Sequence, residues 1–178
     1  MTLASLAEPV DLGPNDPAET VMMSHLLEAE TLPPGALLVV EAGGHITTTG
    51  GSPELDVRLR LGPTTLTGAI IGSHHDGTIP AADLTWRLYN GNNLTGEGWF
   101  ARLLATVQPN GTDITASGLL VGTSGATFAF SVLPVHEDAL ATFDPTVDNL
   151  LELTMDWDDN ANNVAHMHTG VIQLAYSE

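Results

Sequence analysis

The chain has 178 residues, 22 of them acidic and 4 basic, a formal net charge of −18, and no cysteine. That length fits one domain. The charge argues against nucleic acid, whose binding needs Lys and Arg to displace phosphate counterions, and against anionic membranes, while the missing cysteine excludes disulfides and thiolate metal sites.

The first stretch, residues 1–19, holds Pro9, Gly13, Pro14 and Pro17 among acids and reads as an extended arm that lies on a neighbouring subunit or stays free. From residue 20 to 178 the pattern is one domain of strands and turns. Residues 21–27 are a candidate first strand, Leu32-Pro33-Pro34-Gly35 a turn, and residues 36–41 an apolar strand ended by Gly43-Gly44. In residues 55–61 Leu55, Val57, Leu59 and Leu61 alternate with Asp56, Arg58 and Arg60, so one face packs and the other meets solvent. Gly62-Pro63 ends that strand, and residues 64–71 are its hairpin partner. Residues 72–80 are a loop, 84–89 a strand and 90–93 a turn. Residues 99–108 alternate again, Pro109-Asn110-Gly111 turns the chain, and 114–121 returns. After a further turn comes 126–133, then an acidic connection over 134–148 in which His136 to Leu140 has room for one helical turn. Residues 150–157 are a strand, Asp158 to Asn163 a polar hairpin turn, and 164–176 the closing strand.

Short alternating strands with regular turns predict an all-β antiparallel sandwich. Eight to ten strands are expected, and the low aromatic content leaves Leu, Val, Ile and Ala to build the core. Trp86, Trp99 and Trp157 fall on strands and are expected to pack inside. The N-terminus has Glu8 and Asp11 where a leader would carry basic residues, and no apolar run approaches the roughly 20 residues of a membrane span, so a soluble protein made in the cytoplasm is expected.

Four segments resemble the jelly-roll domains of tailed-phage structural proteins, which serve as head decoration or head-fibre proteins and as tail-fibre tips. They are residues 32–44; residues 57–62; Trp86-Arg87-Leu88-Tyr89 followed by residues 98–103; and Leu153 to Trp157 through Asn163 with His168 to Leu174. The resemblance spans about residues 20–176 and is one of pattern and order. It implies a jelly roll, a place on the virion and homotrimers. Compact length, the arm, and the lack of a coiled-coil or collagen-like shaft favour a decoration or cement protein of the outer head. Such a protein binds the major capsid protein and stabilises the shell, after synthesis in the host cytoplasm. Arg58 and Arg60 would then meet acidic capsid surface or acids of a sister subunit. The alternative is a tail-tip or fibre module that recognises a host surface glycan or protein.

Chemistry-bearing residues are sparse in pattern. His166 and His168, two apart on the closing strand, share a face and are metal candidates, above all beside a three-fold axis. Asp156, Asp158 and Asn160 begin an oxygen-rich turn of the kind calcium favours, though the EF-hand spacing fails at its glycine and at Met167. His25, His45 and His136 have no partner at ligand spacing, and the adjacent rings of His74 and His75 diverge. Ser73-His74-His75-Asp76 holds triad residue types too close in sequence for a relay. No nucleophile elbow, phosphate loop or H-E-x-x-H motif occurs. No cofactor is expected, and the chain is expected not to be an enzyme.

Overall fold

Leu55, Val57, Leu59 and Leu61 are each at most 1% exposed, so the alternation in this strand does mark an inner face. The computed structural model describes residues 1–6, 8–13, 18–49, 54–71, 86–89, 94–124, 127–133, 141–157 and 162–176. These form thirteen strands: β1 (Thr2–Ser5), β2 (Val10–Leu12), β3 (Thr20–Leu27), β4 (Ala36–Thr47), β5 (Glu54–Gly62), β6 (Ala69–Ile70), β7 (Trp86–Tyr89), β8 (Thr95–Val107), β9 (Asp113–Ser124), β10 (Thr127–Leu133), β11 (Ala141–Thr142), β12 (Asn149–Trp157) and β13 (Val164–Tyr176). The count exceeds the expected eight to ten because two-residue pairings such as β6 and β11 carry no alternation that a sequence pattern can register.

The strands make an antiparallel sandwich of the jelly-roll kind. The larger sheet runs β1-β13-β4-β8-β9-β10, with β2 also on β13 and β11 on β9; the smaller runs β3-β12-β5-β6, with β7 also on β5. Between them lies one apolar core. The large sheet contributes Leu38, Val40, Ile46, Leu103 and Leu174, and the small sheet Leu59, Leu151 and Leu153, all nearly or fully buried. Each such side chain stabilises the fold by about 1.5–3 kcal/mol relative to exposure. Trp99 and Trp157 are buried as expected, while the side chain of Trp86 lies outside the described residues.

The β8–β9 hairpin follows from its turn. Gly111 has φ 76°, its N–H donates to the Gln108 carbonyl at 2.9 Å, and the Asn110 side-chain oxygen accepts from the N–H of Asp113 at 3.0 Å. By contrast, β12 and β13 are not the hairpin that their spacing suggests. β12 pairs with β3 and β5, whereas β13 pairs with β4, so the connection between them crosses from one layer to the other. The expected helical turn at His136 to Leu140 and the loop holding His74 and His75 lie outside the described residues.

The N-terminal stretch is extended, and its described residues pair along the edge of β13 in the same chain. Thr2 pairs with Gln173 and Ser5 with Val171 through β1; Val10 pairs with Met167 and Leu12 with Ala165 through β2. The Met1 ammonium donates to the Leu174 carbonyl at 2.8 Å, and Leu12 is fully buried. Proline breaks the segment into short edge strands, which still satisfy the outer edge of β13.

Two glycines of the large sheet differ in what surrounds them. A Cβ added at Gly44 would stand 1.7 Å from the His166 carbonyl oxygen, whereas one at Gly98 would meet nothing closer than 3.9 Å. Gly44→Ala must push two paired backbones apart and should lower the unfolding free energy by about 2–4 kcal/mol in urea denaturation. Gly98→Ala should stay within about 0.5 kcal/mol of the parent or gain slightly.

Candidate functional site

The outer face of the large sheet carries the histidines. His45 on β4 stands directly across from His166 on β13, and a bulge between Met167 and Thr169 sets His168 beside them. The His45 ring centroid lies 4.3 Å from that of His166 and 4.7 Å from that of His168. His168 Nε2 and His45 Nδ1 are 2.7 Å apart, so one donates and the other accepts; both rings cannot be cationic in this contact. His166 Nδ1 instead meets Asp11 Oδ1 of β2 at 2.5 Å. Burial, then the neighbouring His166 and His168, hold the His45 pKa below the ordinary imidazole value, against the pull of Asp11. Trp99 Nε1 donates to the His166 carbonyl at 3.0 Å and fixes this end of β13.

The histidine group is thus a proton-sharing pair next to an imidazole–carboxylate pair. A zinc ion would need each nitrogen about 2.0–2.1 Å from itself, which spreads tetrahedral ligands to about 3.3 Å apart. Here the two facing nitrogens are in direct hydrogen-bond contact, and among the described residues no three His, Asp or Glu side chains are arranged to hold a metal. His45, which has no partner at ligand spacing in sequence, is the residue that joins His166 and His168.

Away from the histidines this face turns apolar. Phe100 is 43% exposed and Leu119 36%, and the register places them on adjacent strands around Arg102. Arg102 Nε reaches Glu41 Oε1 at 3.2 Å across β4 and β8, so its charge is matched locally. A shallow groove of about 250 Å³ runs beside them, lined by Glu41, Ala42, Phe100, Thr169, Gly170 and Val171.

The outer face of the small sheet is built differently. Asp56, Arg58 and Arg60 do not project into solvent as the alternation suggests. Both arginine side chains are 14% exposed. Arg58 binds Asp156 at 2.5 Å and Asp56 at 2.9 Å, and Arg60 grips both oxygens of Glu19 at 2.6 Å while donating to the Gly68 carbonyl at 2.9 Å. Thr154 donates to Glu19, and the buried Glu152 accepts from the Leu66 N–H at 2.8 Å. Both arginines are thus engaged by acids of their own chain. The calcium candidate Asp156 is committed to Arg58, and Asp158 and Asn160 lie outside the described residues.

Burial raises the pKa of both Glu19 and Asp156, with opposite net results. For Glu19 the hydrogen bonds from Arg60 and Thr154 and the two guanidinium charges win, and the carboxyl sits below its ordinary range. For Asp156 burial, helped by Asp56 and Glu19, outweighs Arg58, and the carboxyl sits above it. As pH falls, Asp156 takes its proton more readily than in the unfolded chain, so its contribution to stability rises. Glu19 resists protonation, so its contribution, complete above the unfolded pKa, is lost as pH falls through the lower folded value. Glu19→Gln should therefore lower the unfolding free energy at pH 7 by about 1–3 kcal/mol, toward the lower end because the site is partly solvated. The gap should close in acid, as followed by urea denaturation at several pH values. At the histidines, His168→Gln or His166→Gln should raise the pKa of His45, read from its ring C–H resonance; an unmoved titration would mean that the neighbouring charges do not act on it.

No protein-family model matches the chain, and no curated protein matches it by sequence. Among solved structures it is similar to a polysaccharide lyase of family 18, aly-SJ02, at 9% identity and TM-score 0.39, over 96% of this chain and 89% of that one. It is also similar to the alginate lyase from Alteromonas sp. 272, at 7% identity and TM-score 0.34, with the same coverage. At this level the likeness extends to the all-β fold alone and carries no activity to this chain. It does correct the expectation that the chain is not an enzyme: both neighbours are named as lyases, so the sandwich architecture does not set the chain apart from enzymes.

Proposed function

We propose that the chain is a structural protein of a tailed-phage virion, a jelly-roll module that decorates the outer head as a trimer and attaches through the outer face of its large sheet. The phage and trimer parts of this reading rest on the sequence resemblance. The attachment face rests on one observation: Phe100 and Leu119 are both exposed on adjacent strands, diagonally placed about Arg102, whose charge is already matched by Glu41. Large apolar side chains grouped on a rigid surface mark a protein-binding face more often than scattered ones do. At a net charge of −18 the surface repels another acidic protein, and apolar side chains on this strip give a contact that does not depend on charge.

Purified protein should cosediment with phage heads that lack it and stabilise them against heat. Phe100→Asp and Leu119→Asp should each weaken that binding at least about tenfold, which corresponds to about 1.4 kcal/mol, with thermal unfolding of the free protein unchanged. Adsorption to host cells that blocks infection, with no binding to heads, would favour the tail-tip reading and overturn the head assignment.

A further inference from the structure

We infer that the open side of the sandwich, between the edge strands β1 and β3, takes up an extended basic and apolar segment of a partner protein by strand addition to β3. This inference does not depend on the virion reading.

Strand β3 borders the small sheet. Among the described residues it pairs with β12 alone, and no strand covers its other edge. The edge is long, eight residues, and reads Thr20-Val21-Met22-Met23-Ser24-His25-Leu26-Leu27 without a charge or a proline. Natural edge strands are usually shortened, charged or interrupted, because a bare row of N–H and C=O groups is a template for another strand. β3 has neither the charge nor the proline, and its one interruption is a bulge at Met22, where the partners of Leu153 and Thr154 step from Met23 to Val21. The opposite layer is bordered by β1, which with β2 approaches β3. At the His25–Leu27 end of β3, beside β1, lies an open cleft of about 510 Å³, with Leu3, Leu27 and Leu174 among its apolar lining and Glu28 and Glu30 also on its wall. Leu26, 50% exposed, stands beside it. A free strand edge supplies backbone pairing, apolar walls take alternate side chains, and the two carboxylates select cations among the rest, which is the division of labour in strand addition.

The occupant is another protein and not a second copy. The chain has no lysine and four arginines, of which Arg58, Arg60 and Arg102 are paired with carboxylates of their own chain. A copy would bring an uncharged or acidic strand against Glu28 and Glu30 on a molecule of charge −18, whereas a basic segment is drawn in by the same field.

The probe is a fluorescein-labelled octapeptide of alternating valine and arginine, titrated into the full-length chain and followed by anisotropy at physiological salt. Three comparisons separate strand addition from diffuse attraction. A peptide of equal charge but N-methylated on alternate residues cannot pair with β3 and should bind at least about tenfold more weakly. An alternating valine and glutamate peptide should not bind. The Glu28→Lys/Glu30→Lys variant should lose about tenfold or more in affinity for the arginine peptide. Hydrogen exchange should show new protection at amides of residues 20–27. Equal binding of the methylated peptide, or binding without protection of β3, would overturn the inference. So would concentration-dependent self-association that protects β3 without peptide, which would assign the edge to a second copy.

Discussion

Strand β13 has two edges to satisfy, and the large sheet is organised around that requirement. An unpaired backbone N–H or C=O held away from water costs free energy comparable to a lost hydrogen bond. One edge of β13 is met by β4 along nearly its whole length. The other is met by β1 and β2, short pieces of the N-terminal stretch that would have little reason to order by themselves. Their order is borrowed from β13: Leu12 reaches the core, and the Met1 ammonium closes the far end on Leu174. The bulge between Met167 and Thr169 is the one irregularity in the β13–β4 ladder, and it is also what gathers His168 with His45 and His166. A device that bends the strand therefore decides the chemistry of the outer face.

Scarcity of cations shapes the second layer. With four arginines against 22 acids, where the arginines go determines which surfaces stay bare. Two of them, Arg58 and Arg60, are held in one network with Glu19, Asp56 and Asp156 on the small sheet. Partly buried ion pairs add little stability over apolar packing, but removing one partner leaves an uncompensated, partly desolvated charge behind. The network thus ties Glu19, just ahead of β3, to β5 and β12, and fixes where the small sheet begins. The large sheet has Arg102, locally balanced, and its outer face is left to apolar groups and imidazoles.

Much of this was legible in the residues, and the reasons for the rest are physical. Period-two alternation identifies an inner face wherever one side of a strand is buried, so Leu55 to Leu61 and Trp99 to Val107 read correctly. Pro109-Asn110-Gly111 reads correctly because its backbone needs are local. Pairing is not local. The spacing between β12 and β13 is that of a hairpin, and nothing in Asp158 to Asn163 announces a change of layer. The charged face of residues 55–61 looks solvent-facing because its cover, Glu19 and the turn through Leu66, comes from 41 and 86 residues away from Arg60 and Glu152 respectively. The same holds for His45, which meets His168 across 123 positions. The two-residue spacing of His166 and His168 was visible, but the bulge that re-aims one of them leaves no mark in the spacing.

The missing lysine links the two candidate surfaces. Lysine is the commonest guard of a sheet edge, since its charge stays in water and repels a second strand. A chain without it must protect edges by other means. On the β13 side of the large sheet the N-terminal stretch covers the edge, and β1 itself leaves one of four residues, too short to template much. On the small sheet no strand among the described residues covers the outer edge of β3, whose one interruption is the bulge at Met22, and the field of the whole molecule, at −18, works against pairing of like copies there. That guard is selective. It works against acidic strands and fails against basic ones, so the same composition that opposes pairing between copies favours the basic partner inferred for β3.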